Sequence, residues 1–163
     1  MRTLVLLRHS KAAHPEGVPD ADRSLTPRGH ADAGVAGAWL AAHGLVPDLV
    51  LCSPSRRTRE TWHAVAMSLG PEATGVTAAY DPALYAAGDA RDLLDLLTAT
   101  DPAVRVLLVI GHNPTLSELS ALLDAAADDG LRTSGVAVHE VPGEWAELAP
   151  GGAPVRRRHT ARA

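Results

Sequence analysis

Thr3-Leu4-Val5-Leu6-Leu7-Arg8-His9-Ser10 passes from unbroken apolar sequence into charge within a few positions. An apolar run of this length, with no polar alternation, predicts a strand buried on both faces, as in a parallel sheet. Residues 49–52 and 104–110 read the same way, and each run stops in a polar turn. Those turns are Arg8-His9-Ser10, Ser53-Pro54-Ser55 and Gly111-His112-Asn113-Pro114. Helical patterns lie between the runs. Thr26-Pro27-Arg28-Gly29 reads as a cap with proline in the first turn, where a missing N–H costs nothing. Apolar residues then recur at Ala36, Trp39 and Leu40, and the helix is expected to stop at His43-Gly44.

A second helix is expected over 55–69, stopped by Gly70-Pro71, a third over 90–98 and a fourth over 115–126. The fourth opens with Thr115-Leu116-Ser117-Glu118, the spacing of a capping box. Strands alternating with helices predict an α/β fold, a three-layer α/β/α with a mostly parallel central sheet. Residues 136–141 alternate and predict a late strand, paired with 145–148. The reading is one domain over 1–149, with 150–163 as a flexible tail whose Arg156-Arg157-Arg158 is a solvated end.

Composition narrows the functional classes. The 163-residue chain contains no Phe, so aliphatic side chains must pack its core. A net charge of −4 argues against a general nucleic-acid binder. Cys52, the only cysteine, sits in an apolar run and reads as a buried structural thiol in a reducing compartment. No apolar run approaches the roughly 18 residues needed to span a bilayer, and no signal-peptide pattern is present, so a cytoplasmic location without membrane contact is expected.

Sites in open α/β sheets form beyond the carboxyl ends of the strands. The three polar turns and the helix start after the second hold Arg8, His9, Ser53, Arg56, Arg57, Arg59 and His112. Two histidines among arginines make an anion site by composition, because guanidinium groups match phosphate oxygens and stay charged at any working pH. One histidine could be a nucleophile and the other a donor to phosphoryl oxygens. Attack requires a neutral imidazole whose second N–H is held by an acceptor, and neighbouring guanidiniums favour the neutral form. His9 and His112 as metal ligands is the weaker idea, since arginines would repel a cation and no carboxylate joins them.

Four segments carry a resemblance. Leu6-Leu7-Arg8-His9-Ser10 resembles the R-H-G motif of the histidine phosphatase (phosphoglycerate mutase-like) superfamily, and Leu25-Thr26-Pro27-Arg28-Gly29 resembles its L-T-x-x-G. Ser53-Pro54-Ser55-Arg56-Arg57-Thr58-Arg59-Glu60-Thr61 is similar to its S-P-x-x-R-A-x-Q-T, and Gly111-His112-Asn113-Pro114 to its late strand-end histidine. The short chain and the Arg8-His9-Ser10-Lys11-Ala12 start are most similar to the SixA-type phosphohistidine phosphatase branch. The resemblance implies a phosphoglycerate mutase-like fold, with His9 as nucleophile and Arg8, Arg57 and His112 binding the phosphoryl group. It implies no cofactor and no metal.

Two departures matter. Ser10 stands where the motif has Gly, which requires φ < 0 there or a partner for the hydroxyl. The wider superfamily also uses a Glu proton donor where Leu84-Tyr85-Ala86-Ala87 stands, and no carboxylate occurs in that stretch. Substitute acids are Glu16, Asp20 and Asp22; Asp22 is preferred because it directly precedes Arg23-Ser24-Leu25-Thr26. The expected activity is metal-independent phosphatase chemistry through phospho-His9, on phosphohistidine in proteins or on a small phosphorylated metabolite. The competing readings are an inactive phosphate-binding adaptor and, behind it, a phosphomutase.

Overall fold

The computed structural model describes residues 1–85 and 89–163. The chain runs β1 (Arg2–Arg8), α1 (Pro27–Ala42), β2 (Leu49–Cys52), α2 (Arg56–Leu69), β3 (Thr77–Tyr80), α3 (Ala90–Thr98), β4 (Val106–Gly111), α4 (Thr115–Leu123), β5 (Gly135–Val141) and β6 (Val155–Thr160). One sheet holds all six strands in the order β3-β2-β4-β1-β5-β6. The first four are parallel; β5 lies antiparallel to β1, and β6 antiparallel to β5.

Side-chain alternation in the central strands divides the core into two layers. Leu4, Leu6, Leu107 and Val109 face α3, α4 and the buried Trp145. Val5, Leu7, Leu108 and Ile110 face α1 and α2. Burying each such aliphatic side chain stabilises the fold by roughly 1.5–3 kcal/mol, and burial on both faces is why these strands lack polar alternation. The fold is therefore the three-layer α/β/α arrangement with a mixed, mostly parallel sheet.

The start of α1 shows why its motif needs a glycine. Thr26 caps the helix, its Oγ1 accepting from the Gly29 N–H at 2.9 Å. A Cβ on Gly29 would lie 2.1 Å from the Lys11 carbonyl oxygen. The glycine therefore lets the chain after β1 cross the first turn of α1, where Ala12 and Leu25 form an isolated bridge.

Several expectations are corrected. Residues 150–163 are no loose tail, because Val155–Thr160 forms β6 on the free edge of β5. Its arginines are consistent with an edge strand, where charge deters pairing with other chains. Arg156 pairs with Glu140, and Arg158 with Asp129. Residues 145–148 do not pair with β5. Trp145–Glu147 is a 3-10 turn whose indole N–H donates to the Val104 carbonyl at 2.8 Å.

The capping box expected at Thr115 does not form. Pro114 is the N-cap, and the Asn113 Oδ1 accepts from the Ser117 N–H and hydroxyl. Helix α4 stops at Leu123, three residues short of the expected end. Asp124 turns extended there, and its carboxylate accepts from the N–H groups of Ala126 and Val155. Of the stretch expected to lack an acid, Ala86 and Ala87 lie outside the described residues.

Candidate active site

The carboxyl ends of β1, β2 and β4 lie side by side. The His9 N–H donates to the Gly111 carbonyl at 3.1 Å, and the Ser53 N–H to the Ile110 carbonyl at 3.0 Å. The register thus places His9, Ser53 and His112 together, and α2 brings Arg57 in from the Ser55 cap. Arg8, His9, Arg57 and His112 line one cavity of about 290 Å³ with Lys11, Ala12, His14, Arg23, Asn113 and Thr133. Among the described residues no three His, Cys, Asp or Glu side chains are grouped to hold a metal ion.

His9 is almost wholly enclosed and orientated by its neighbour. Its Nδ1–H donates to the Ser10 carbonyl at 2.8 Å. That bond fixes the tautomer and leaves Nε2 unprotonated, with no hydrogen bond to it among the described residues. Burial is the main reason that the His9 pKa falls to about 4; the Ser10 bond opposes the fall, and the charges of Arg57, Arg8 and Arg23 add to it. Guanidinium charge favours this neutral state, as the sequence predicts, but it is the smaller contribution. Desolvation does more.

Ser10 itself is held from two sides. Its N–H donates to Thr61 Oγ1 at 3.1 Å, and its hydroxyl pairs closely with that of Ser134. Ser10 is not among the positive-φ residues, whereas Ser134 is, at φ 58°. Both conditions for replacing the motif glycine are therefore met.

His112 sits 5.3 Å from His9 between ring centroids. Its Nε2 lies 2.8 Å from Ser53 Oγ, and its Nδ1 3.4 Å from Arg57 Nη2. A guanidinium only donates, so Nδ1 is the acceptor and Nε2–H donates to Ser53. Burial, then the charges of His9 and Arg57, push the His112 pKa down to about 3. Arg8 donates to the Leu131 carbonyl at 3.2 Å. The Nε–H groups of Arg8 and Arg57 are both buried and have no partner among the described residues. Two residues that line the cavity thus each carry a buried, unpartnered guanidinium N–H, beside a histidine whose Nε2 lone pair is free.

Residues 4–84 match the family model described as the histidine phosphatase superfamily, branch 1. The uncharacterized protein Rv1276c of Mycobacterium tuberculosis (strain ATCC 25618 / H37Rv) is 38% identical over 155 residues, spanning 89% of this chain and 93% of that protein. The chain belongs to the histidine phosphatase superfamily.

Its architecture is shared by solved members of that superfamily. A chain from Nakamurella multipartitia named as phosphohistidine phosphatase SixA superposes with a TM-score of 0.87 at 31% identity, over 99% of this chain and 97% of that one. A SixA-named chain from Agrobacterium tumefaciens gives a TM-score of 0.79 at 27% identity, over 97% of both. The protein histidine phosphatase SixA solved with tungstate gives 0.81 at 25% identity, over 97% of this chain and 96% of that one.

Asp22, the acid preferred on sequence grounds, does not reach the cavity. Asp22 is exposed, lines no part of the cavity and makes no side-chain hydrogen bond among the described residues. Asp20 engages the site instead. Both belong to the 3-10 turn Asp20–Asp22, in which residues two apart point in different directions. The Asp20 carboxylate accepts from Arg23 at 3.0 Å, Arg57 at 3.0 Å and the Tyr85 hydroxyl at 2.7 Å. The Tyr85 bond first, then Arg23 and Arg57, hold Asp20 well below the usual carboxylate range despite some desolvation.

Other residues fall into place around the motif set. Arg56 pairs with Glu60 at 3.2 Å, and Arg59 donates to the Pro54 carbonyl at 2.9 Å. Cys52 is buried and its thiol pKa is pushed up to about 12, as befits a structural cysteine. His14, which matched no motif, lies on the cavity wall where its Nε2 faces Arg23 at 2.8 Å. The hydroxyls of Ser53, Ser55 and Thr58 form a network behind His112, of which the sequence singles out only Ser53 as a strand-end candidate.

Proposed function

We propose that the protein is a metal-independent phosphatase that works in the cytoplasm through a phospho-His9 intermediate, with phosphohistidine in a partner protein as its substrate. The observation that carries this reading is the His9 tautomer. Its proton is committed to the Ser10 carbonyl, its other nitrogen is unpartnered among the described residues, and the residue lines a cavity shared with Arg8, Arg57 and His112.

The cycle consists of two in-line displacements. His9 Nε2 attacks phosphorus as the bond to the substrate's imidazole nitrogen breaks. Arg8 and Arg57 spread charge over the peripheral oxygens, doing here what metal ions do in kinases. His112 supports them as a donor, because an arriving dianion favours its protonated form. Water then attacks phospho-His9, inorganic phosphate leaves, and the imidazole is restored.

The choice of phosphohistidine rests on the leaving group. Asp20 is ionised, and the Tyr85 hydroxyl is committed to it, so neither is poised to protonate a departing alkoxide. An imidazole whose second nitrogen already carries a proton departs neutral and needs no such donor. Tungstate bound to a SixA relative is consistent with oxyanion binding at this kind of site.

A substrate panel tests the reading: phosphohistidine peptide, phosphoramidate, and sugar and nucleotide monophosphates. Turnover of the P–N substrates over the esters is expected, with transient acid-labile, base-stable phosphate on His9. Equal turnover by His9→Ala would sink the nucleophile assignment. Vanadate or phosphate binding without turnover of any substrate would instead identify an adaptor.

A further inference from the structure

Asp20 makes more contacts with the proposed phosphate-binding groups than any motif assigns to it. Arg57 directs Nη1 at the Asp20 carbonyl, 2.8 Å away, and Nη2 at its Oδ2, 3.0 Å away. Both ends of the guanidinium fork are thus held by a single residue. The opposite edge, formed by Nε and the other Nη2 hydrogen, is what remains. On that edge Nη2 approaches His112 Nδ1 at 3.4 Å, and the buried Nε–H has no partner among the described residues. Once an arriving anion protonates His112, its Nδ1 no longer accepts, and the released Nη2 hydrogen joins Nε–H as two parallel donors suited to two oxygens of one phosphoryl group.

The carboxylate is itself braced. Arg23 takes Oδ1 at 3.0 Å, and Arg23 is in turn tied through Nε to the Ala13 carbonyl at 2.9 Å. Tyr85, at the end of the 3-10 turn Pro82–Leu84, donates to Oδ2 and sets its ring edge-on to His112 at 5.6 Å. Asp20 therefore joins the loop after β1, the start of α2 and the turn before α3.

We propose that Asp20 is a positioning residue: it clamps Arg57 end-on so that the Nε edge faces the phosphoryl group, and its charge limits how tightly the site holds product phosphate. The proposal rests on the phosphatase reading above for its kinetic consequence, and on the geometry alone for its effect on anion binding. Because Asp20 acts through Arg57, a freed guanidinium keeps its charge but loses its alignment. Transition-state stabilisation should suffer, whereas ground-state attraction for an anion should not.

The test is Asp20→Asn, which keeps the shape and one acceptor oxygen, measured beside Tyr85→Phe and in an Arg57→Ala background. Turnover of phosphoramidate by Asp20→Asn is expected to fall on the order of 10-fold or more in kcat. Its inhibition constant for inorganic phosphate should be equal to or lower than that of the wild type. Tyr85→Phe should shift both quantities in the same directions by a few-fold, and Asp20→Asn should have no further effect on kcat once Arg57 is alanine. Wild-type kcat in Asp20→Asn, or an undiminished loss in the Arg57→Ala background, overturns the proposal. Weaker phosphate binding together with lower kcat overturns it too, because that is the signature of a collapsed loop. Failure of the phosphatase reading shows separately, as no wild-type turnover of any substrate in the panel or as undiminished turnover by His9→Ala, and the phosphate-affinity comparison remains valid in either case.

Discussion

His9, just past the end of β1, and His139, within β5, are two buried histidines of one sheet region, and they begin alike. Each gives its Nδ1–H to a backbone carbonyl, that of Ser10 at 2.8 Å and that of Ala153 at 2.7 Å. Each has its pKa lowered chiefly by burial. The difference is the second nitrogen. His139 Nε2 is met at 2.7 Å by the Ser120 hydroxyl inside the core. His9 Nε2 meets nothing among the described residues, and the residue lines a cavity walled by cations. Burial and a backbone tie are therefore common to a packing histidine and a reactive one. The unspent lone pair separates them.

The strongest way to break that contrast is substitution of each histidine in turn. His9→Ala should lower turnover on the order of 10⁴-fold or more while leaving the melting temperature nearly unchanged. Steady-state rates beside a thermal scan decide it, and a stability loss without a rate loss would reverse the two roles. His139→Ala should do the opposite. It leaves a void and strands both the Ala153 carbonyl and the Ser120 hydroxyl, at a cost of about 2–4 kcal/mol by denaturant unfolding. The fraction that stays folded should keep its kcat.

A titration sharpens the comparison without mutation. The ring-proton resonances of His9 should move with a midpoint near pH 4, and a midpoint near 6.5 would mean that the site is wetter than described. The same shift bears on stability. A folded pKa below the unfolded value of about 6.5 means that the unfolded chain takes up protons first as the pH falls. The His9 contribution is thus intact above that value and declines as the pH drops toward about 4. Unfolding free energies at pH 7 and pH 5 should differ in that direction, and less so in His9→Gln. Smallest of all, Ser120→Ala should cost about 1–2 kcal/mol by leaving His139 Nε2 unsatisfied, with no change in rate.

The parts of this molecule legible in the sequence are those in which one strong force acts alone. Strands β1 and β4 are buried on both faces, and β2 is buried on one and half-buried on the other, so continuous apolar runs mark them. Edge strands obey weaker rules. Thr77-Ala78-Ala79-Tyr80 offers small, half-exposed residues with no run at all, and β6 is an arginine-rich segment that composition alone assigns to solvent. At the site, Arg8, His9, Arg57 and His112 were readable because strand ends and motif spacing fix them. The choice between Asp20 and Asp22 turned on which way a three-residue 3-10 turn faces, and neighbouring carboxylates in sequence carry no record of that. The hydroxyls behind His112 depend in the same way on the packing of α2 against β4.

Ser10 and Ser134 carry a consequence for how this chain can change. Their hydroxyls satisfy each other in a fully buried spot, across 124 positions of sequence. Restoring the family glycine at position 10 alone would orphan the Ser134 hydroxyl. Replacing Ser134 alone would orphan Ser10 in turn. Either single step is uphill, whereas losing both hydroxyls together removes the unmet need. The departure from the motif at position 10 is thus one half of a linked pair. The stability cost of a change at either position is therefore set by what stands at the other, 124 positions away in the chain.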